Sequence, residues 1–387
     1  ASETIQVTAI PLRQAAATAR RHILALAAEQ RGVPAAGLSV SDGAIRHADW
    51  SVAYADLIRG RHERIEIDPA VETKPVGSYR LVGTSQKRSD IAAKVAGEWT
   101  YVHDVRIPGM LHGRVVRPPY AGYDHGELVG CSLIAVDEGS VADVPGLVAV
   151  VADGDFVGVV ATREEYAVEA MKRLKVLWRE QPARPDLNDV EQSLRDHPRQ
   201  KTRLLAERGD VDGALASASP SMERTYVWPY QMHGSIGPSC AVADWRSDGL
   251  VVWSGTQNPH WMRRDLSILL DLPEDDIVVE RLEAAGCYGR NCADDVTADA
   301  ALLSRAVGRP VRVQLTREQE HGWEPKGAGQ VIDVRGGLDV DGGPAGYDFE
   351  TCYPSNLAPT LALVLTGKVT GNDTAEMGDR QFAGAGA

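Results

Sequence analysis

The sequence predicts a multidomain protein that combines α/β and α+β segments, and three observations support this fold class. The chain has 387 residues, more than one typical domain holds. Short apolar strands alternate with helical patterns between residues 78 and 180 and again after residue 222. An Ala-rich segment before them spaces its apolar residues at helical intervals. Two or three domains are therefore expected.

The N-terminal segment predicts a helix and a hairpin. The amphipathic pattern covers residues 12–29, and Gly32 ends it. Asp42-Gly43, between two short apolar runs, is typical of a two-residue hairpin turn. The charged, Pro-containing run at 59–77 indicates a linker, so residues 1–65 form a first segment.

A compact α/β module is expected at residues 78–180. Strands are predicted at 111–116 and 157–161, and a helix follows the capping-box pattern Thr-Arg-Glu-Glu at 162–165. Apolar residues are sparse at 181–221, which indicates a long connector.

Residues 284–315 predict a tight loop, a helix and a strand. Small residues up to Gly289 let the backbone approach a ligand closely. The helix is expected to be capped by Asn291 or Asp294 and to end at Gly308. Backbone N–H groups at its start suit an anion, such as a cofactor phosphate. An ordinary structural turn explains the same pattern equally well.

Composition argues against several classes of function. The formal net charge is −13, whereas nucleic acid and anionic membrane surfaces require a basic footprint. No apolar run reaches the roughly 18 residues of a membrane span. The first residues also lack a charged-then-apolar leader. A soluble chain is therefore expected.

Cysteine and histidine spacing predicts no metal held directly by protein side chains. The ten histidines show no HxxxH or HExxH spacing. Neither a disulfide framework nor an iron–sulfur or zinc site is expected, since CxxC spacing is lacking among the five cysteines, which are Cys131, Cys240, Cys287, Cys292 and Cys352. Cys287 and Cys292 are interpreted as packed thiols.

Three successive blocks resemble the molybdopterin-binding subunit of the xanthine oxidase family of molybdenum hydroxylases. They are YQMHGSIGPSCAVA from Tyr230, SGTQNPHWMRRDLSILLDLPEDDIVV from Ser254 and AAGCYGRN from Ala284. An earlier stretch, KVAGEWTYVHDVRIPGMLHGRVVRPP, resembles the start of the family's small α/β hammerhead domain. CYGRNCADD and QEHGWEP are most similar to the bacterial nicotinate dehydrogenase type, with isoquinoline-oxidising and aldehyde-oxidising relatives close behind.

The resemblance implies a domain plan. Residues 78–180 would be the hammerhead domain, 181–221 a connector, and 222–387 the first molybdopterin-binding domain, incomplete at its C-terminal end. Residues 1–65 resemble a piece of the second molybdopterin-binding domain. The family's Gly-Glu motif, whose glutamate is the catalytic base, has no counterpart here. The resemblance therefore implies a partial or split subunit, active only with its missing half or partner subunits.

The resemblance also implies roles for named residues. Gln231 stands where the family has a glutamine that hydrogen-bonds the apical oxo ligand of molybdenum. Gly286, Tyr288 and Gly289 belong to the loop that faces the same ligand, and the Tyr288 ring would help shape the substrate slot. Arg290 stands where relatives often have glycine, and its forked guanidinium would reach a phosphate of the pterin dinucleotide or a substrate carboxylate. The pterin dithiolene, not a side chain, would hold the metal.

Each of these residues also has an ordinary structural interpretation. Gln231 can be a loop side chain satisfied by backbone, Tyr288 a packing aromatic, and Arg290 a solvated surface charge. His233 is interpreted as scaffold, with a position facing the cofactor pocket as the alternative. The arginine pair at 263–264 is interpreted as surface charge, with phosphate binding as the alternative.

The implied reaction is oxidative hydroxylation of an N-heteroaromatic such as nicotinate, with water as the oxygen source. The implied cofactor is molybdenum–molybdopterin cytosine dinucleotide. A small subunit with [2Fe-2S] clusters would accept the electrons, and a cytochrome c or a FAD subunit would lie beyond it. The location would be cytoplasmic, or at the inner membrane or periplasm through partners. An aldehyde substrate is the first alternative, and a non-catalytic scaffold or assembly subunit is an alternative of another class.

Overall fold

The chain forms two compact units, the first ending at Glu98 and the second beginning at Trp99. The structure is a computed structural model, and it describes residues 4–120, 129–180, 188–197, 202–354 and 360–369. Every predicted site residue belongs to the second unit.

The first unit confirms the predicted helix and hairpin. In chain order it contains α1 (Ala9–Arg31), β1 (Ser39–Ser41), β2 (Ala44–His47), β3 (Trp50–Ala53), α2 (Tyr54–Leu57) and α3 (Ile91–Val95). The N–H of Gly32 donates to the carbonyls of the last turn of α1 and so caps it. Strands β1 and β2 pair across Asp42 and Gly43, whose φ values are 52° and 73°.

The segment at 59–77 is not a free linker, so that prediction is wrong. It runs along α1 and is held there by polar side chains of the helix. Arg21 pairs with Asp68 at 2.8 Å, and His22 Nε2 lies 2.6 Å from a Glu63 carboxyl oxygen. The charges that suggested a solvated linker are therefore partners for one exposed side of α1.

The second unit contains twelve strands and seven helices within the described residues. They are β4 (Leu111–Val116), β5 (Leu133–Asp137), β6 (Leu147–Asp153), β7 (Phe156–Ala161), α4 (Glu164–Arg173), β8 (Lys175–Trp178), α5 (Val190–Asp196), α6 (Val211–Ser217), β9 (Ser221–Trp228), β10 (Cys240–Arg246), β11 (Gly249–Ser254), α7 (Pro259–Leu270), β12 (Ile277–Arg281), α8 (Ala293–Val307), β13 (Val311–Gln314), α9 (Arg317–Trp323), β14 (Gln330–Leu338), β15 (Pro344–Cys352) and α10 (Leu361–Leu365).

A seven-stranded sheet organises this unit, in the order β12-β11-β10-β13-β4-β7-β6. Helix α8 packs on it at close range. A Cβ on Gly113 of β4 or Gly158 of β7 would come within 2.6 Å and 2.8 Å of Leu303 methyl carbons. Two glycines therefore let α8, which follows the candidate loop, lie directly on the centre of the sheet.

Strands of two predicted domains share this sheet. Strands β4, β6 and β7 come from residues 78–180, whereas β10 to β13 come from 222–387. Strands β13 and β4 pair in parallel, with Val311 opposite Leu111. Because these strands pair, residues from both predicted domains belong to one compact unit. The domain boundaries predicted within that unit stay predictions.

A three-stranded antiparallel sheet, β15-β14-β9, is the second sheet that residues after 220 contribute to. Helices α5 and α6 pack against it. Both helices lie in the predicted connector, so its described residues are not a structureless link. The rest of the connector, at 181–187 and 198–201, lies outside the described residues.

The capping box predicted at 162–165 is wrong. Arg163 is the N-cap of α4 and accepts no side-chain capping bond. Thr162 instead continues the pairing of β7 with β6, because its N–H donates to Gly146 O at 2.9 Å. Thr162 therefore belongs to the end of the strand, and the helix begins after Arg163.

In the portion of the chain that the structure describes, no helix combines the length and apolar character that crossing a membrane requires.

Candidate cofactor site

The loop at 284–292 is where the three sequence blocks meet. Ile236, from the first block, donates its N–H to Ala285 O at 3.1 Å. Gln257, from the second block, donates its side-chain amide to Gly289 O. The predicted juxtaposition of the blocks around this loop is therefore present in the fold.

Gly289 is the most constrained residue of the loop. Its φ is 142°, and a Cβ built there would overlap the imidazole ring of His233. Only glycine combines this torsion with such close contact. His233 Nδ1 is buried and lacks a hydrogen-bond partner in the described structure.

Tyr288 precedes it in a conformation that side chains rarely adopt, with φ at 49°. The ring folds back toward Gly286, whose own φ is 95° and where a Cβ would lie 2.8 Å from the ring. Tyr288 nevertheless remains 63 % exposed. A strained turn that displays an aromatic ring agrees better with a binding surface than with core packing, and the substrate-slot role stays a prediction.

Gln231 is held by its backbone rather than by its side chain. It forms an isolated antiparallel bridge with Gly327, with N···O distances of 3.1 Å and 2.8 Å. The residue is exposed, so its amide remains available to a ligand. The oxo-binding role stays a prediction.

Arg290 is half-buried and directed toward acids at the start of α8. Its guanidinium lies 3.7 Å from the Asp294 carboxyl group. Its charge also opposes the burial-driven rise of the pKa of Asp295. Arg290 therefore lies near acids of its own chain, and the phosphate and substrate-carboxylate roles stay predictions.

Two N–H groups at the start of α8 already have acceptors within the chain. The N–H of Ala293 donates to Asn291 Oδ1 at 3.0 Å, and the N–H of Cys292 donates to Glu320 Oε1 at 3.2 Å. The N-cap of α8 is Cys292, one residue after Asn291, so neither Asn291 nor Asp294 is the predicted N-cap. The carboxyl group of Glu320 is an acceptor for this helix start from within the chain, and the binding of a ligand anion there stays a prediction.

Glu320 and Glu324 of the α9 region are the residues that the sequence interpretation missed. Glu320 is fully buried and also accepts from Ser239 N–H at 2.8 Å. Glu324 accepts from the N–H of His233 at 2.5 Å. They thereby position the backbone beside Gly289. The available signal was a pair of acids four residues apart, with Glu320 on a capped helix and Glu324 just after its end.

A buried ion pair lies beneath α8. Arg117, just after β4, makes two hydrogen bonds of 2.6 Å and 3.0 Å with Asp299 of α8. Their side chains are 5 % and 0 % exposed. The guanidinium also lies 5.9 Å from the centre of the Trp323 ring. The Arg117 guanidinium therefore joins the end of β4 to α8 and to α9.

Asp295, in the first turn of α8, is a buried acid whose charged form is disfavoured by its surroundings. Burial raises the pKa of its carboxyl group to about 6, and attraction to Arg290 opposes the rise. One oxygen accepts from Leu361 N–H at 2.8 Å and so holds the start of α10.

We expect Asp295→Asn to stabilise the second unit at pH 7.5 but not at pH 4. The folded pKa of about 6 exceeds the ordinary value of 3.8, so the stability that protonated Asp295 provides is complete below 3.8 and lost as pH rises through 6. The free energy of unfolding is thereby lower by about 2–3 kcal/mol at neutral pH. Asparagine keeps the acceptor for Leu361 and carries no charge to bury.

Hydrogen–deuterium exchange of α8 peptides at both pH values measures this difference in opening free energy. The exposed turn residue Asp248, replaced by Asn, is the matched control and should change neither value. An equal effect of Asp295→Asn at pH 4 and pH 7.5 would contradict the expectation.

The cysteines near the loop are packed, as interpreted. Cys292 is buried, and burial raises the pKa of its thiol well above the ordinary range. Cys287 is half-buried. Among the described residues, no group of three or more His, Cys, Asp or Glu side chains is arranged to hold a metal ion.

Comparison with known proteins adds sequence relatives to this geometry. Residues 196–369 match the family model described as "Molybdopterin cofactor-binding domain". The chain is 57 % identical over 383 residues to a nicotinate dehydrogenase subunit of Pseudomonas putida, and the match covers 98 % of this chain and 32 % of that protein. It is 29 % identical over 308 residues to a probable xanthine dehydrogenase subunit of Bacillus subtilis, and this match covers 72 % of this chain and 40 % of that protein.

Solved structures share the fold. Quinoline 2-oxidoreductase from Pseudomonas putida 86 superposes with a TM-score of 0.56 at 20 % identity, over 70 % of this chain and 39 % of that chain. The Cu,Mo-CO dehydrogenase gives 0.53 at 19 % identity, over 70 % of this chain and 40 % of the other. These matches confirm the predicted multidomain α+β class. The chain spans about a third of the length of the first relative and 40 % of the second.

Proposed function

Because this chain belongs to the molybdopterin-binding subunits of the xanthine oxidase family, of the nicotinate dehydrogenase type, we propose that it forms one wall of the cofactor pocket of a molybdenum hydroxylase. The reaction is oxidative hydroxylation of an N-heteroaromatic substrate, with water as the oxygen source. The catalytic glutamate lies outside this chain.

The observation that carries the proposal is the construction around Gly289. The loop excludes a side chain at this position, presents Tyr288 beside it, and is held from three sides by Gln257, Glu320 and the 233–236 backbone. A loop held this firmly, with glycines at 286 and 289, agrees with close approach of a large cofactor. The buried His233 Nδ1, which has no partner among the described residues, is a further polar atom beside this loop.

In this proposal the residues position and polarise rather than react. The Gly289 N–H and the Gln231 amide donate hydrogen bonds to oxygen ligands of the metal, which neutral donors can do without displacing them. Tyr288 packs flat against a planar substrate. When bound, molybdenum–molybdopterin cytosine dinucleotide supplies the oxygen transfer and accepts the electrons.

In this proposal the remaining parts of the enzyme belong to polypeptide outside this chain. A second molybdopterin-binding half supplies the base, and a small [2Fe-2S] subunit receives the electrons, with a cytochrome c or FAD subunit beyond it. The relatives' names support this division, since several are named as subunits. The low cysteine content also agrees with it, because no CxxC pair is present to hold a cluster.

An aldehyde-oxidising activity is the second candidate, and the orientation of Arg290 favours it. A carboxylate substrate such as nicotinate requires a cation in the pocket, whereas Arg290 is directed toward Asp294. An uncharged aldehyde makes no such demand. Relative rates with nicotinate and with an aromatic aldehyde distinguish the two.

We expect Gly289→Ala to remove molybdenum from the assembly while leaving the chain folded. The new methyl group meets the His233 ring at a torsion that alanine rarely adopts. The assembly is purified through a tag on the full chain, and molybdenum and the cytidine nucleotide released on denaturation are measured. The unaltered assembly should contain both, and the variant should retain less than about a tenth of each.

Two further variants make this test specific. Gly342→Ala has a positive φ of 81° and no neighbour within 4 Å, so it controls for torsional strain alone and should keep its molybdenum. His233→Ala combined with Gly289→Ala relieves the overlap and should recover part of the metal. If the unaltered assembly contains neither molybdenum nor nucleotide, the enzyme proposal fails and a scaffold function takes its place.

A further inference from the structure

The two faces of the β15-β14-β9 sheet differ in an unusual way. Two described helices, α5 and α6, pack on one face. The face they cover carries the charged side chains of β14, whereas the other face carries large apolar ones together with Arg224 of β9. Antiparallel sheets with one solvated face show the reverse arrangement, with apolar side chains covered and polar ones exposed.

The covered face is held by ion pairs. Arg195 of α5 donates twice to Asp333, at 3.0 Å and 2.9 Å. Arg335 donates to Asp212 of α6 at 2.9 Å and to Asp348 across the sheet at 2.6 Å. The polar groups of this face therefore already have partners inside the chain.

The opposite face presents a cluster of aromatic side chains. Strand register places Tyr226 opposite Ile332, and Phe349 opposite Val334, on this face. Tyr347 and Phe349 stack with their ring centres 6.4 Å apart. We name as the aromatic face the side chains that are 47–63 % exposed on this side, which are Met222, Tyr226, Trp228, Tyr347 and Phe349.

An exposed cluster of this composition marks a protein interface. Large aromatic residues and methionine are enriched at interface centres, and a contiguous apolar patch is rare on the free surface of a monomer. We infer that the aromatic face is the docking surface for the part of the molybdopterin-binding subunit that lies outside this chain. This inference rests on the proposed function, in which that part supplies the catalytic base.

The length of the relatives identifies this occupant. The chain covers 32 % of the relative that is 57 % identical to it, so about two thirds of that polypeptide has no counterpart here. The chain's own last residues are a poor alternative. Residues 370–387 contain only Met377 and Phe382 as large apolar side chains, among Gly, Ala, Thr and acidic residues.

Radical footprinting of a complex tests the assignment. The full chain is co-expressed with a separately tagged polypeptide, namely the part of the Pseudomonas putida relative that this chain does not align with. Labelling of Tyr226, Trp228 and Phe349 should fall several-fold in the complex compared with the chain alone. Tyr226→Glu combined with Phe349→Glu should reduce recovery of the complex by at least about tenfold, since aromatic anchors dominate interface energies.

Leu177→Glu is the matched control, because Leu177 is 58 % exposed on β8 of the separate β5-β8 sheet. It should leave recovery unchanged. The face is wrongly assigned if the complex forms while the aromatic side chains stay labelled, or if the two polypeptides do not associate. Self-association of the chain that the double variant abolishes would make a second copy the occupant and also overturn the assignment.

Molybdenum content separates this failure from failure of the enzyme proposal. An assembly that contains molybdenum and cytidine nucleotide, but leaves the aromatic face labelled, contradicts the docking surface alone. An assembly without either contradicts the function on which the docking surface rests.

Discussion

Asp299→Asn is expected to destabilise the second unit by about 3–5 kcal/mol, the usual cost of removing one partner from a buried ion pair. Arg117 would remain buried with no carboxylate hydrogen-bonded to it, and its Nε already lacks a hydrogen-bond partner among the described residues. Burial raises the pKa of Asp299, while the neighbouring guanidinium lowers it. The charge of Asp299 is thus maintained by Arg117 rather than by water.

Chemical denaturation followed by exchange of α8 peptides measures this loss. Asp271→Asn is the control, because Asp271 pairs with Lys368 on the surface and should contribute little. Arg117→Met combined with Asp299→Leu should recover most of the stability, since apolar replacements fill the same volume without a charge to bury. If the double variant is no more stable than Asp299→Asn, the pair acts through its shape rather than its charge.

Glu320→Gln is expected to have the second largest effect, a loss of about 2–3 kcal/mol concentrated at the candidate site. The Glu320 oxygens accept hydrogen bonds from Ser239 N, Ser239 Oγ, Cys292 N and Ser235 Oγ, at 2.8–3.4 Å. Glutamine replaces one acceptor oxygen with an NH2 group, which would face donors that it cannot satisfy. The backbones on both sides of Gly289 should therefore loosen together.

Exchange rates of peptides around Ser239 and Cys292 test this coupling. Both should lose protection in Glu320→Gln, and molybdenum retention of the assembly should fall with them. Glu318→Gln, on the exposed side of the same helix, should leave both unchanged. Loss of protection in only one of the two peptides would show that Glu320 does not join the two segments.

Local elements of the fold could be predicted from periodicity and caps. The strand β4 and the helix α8 form within a residue or two of the sequence expectation, because each depends on neighbours a few positions away. The hairpin of β14 and β15 was not expected. Its residues are rich in Gly and Asp, and its apolar side chains face solvent in this chain, so the usual pattern of a buried face is weak.

Non-local structure could not be predicted in the same way. Nothing in the local pattern of 111–116 shows that β4 pairs with β13. Glu320 resembles any acid on a capped helix until its donors, Ser239 and Cys292, are seen to converge on it. The loop at 284–292 was identified from its glycines and its resemblance, whereas the residues that hold it in place come from distant parts of the chain.

The pairing of β4 with β13 also determines when the second unit can fold. Arg114 and Gln314, on these two strands, are joined by a hydrogen bond although 200 residues separate them. Closing so long a loop is slow compared with local helix formation, since its entropy cost precedes any gain from pairing. During synthesis, β4, β6 and β7 must wait for β10 to β13 to leave the ribosome. The sheet is therefore completed only after the 284–292 loop has been made, so the cofactor wall matures late and as a whole.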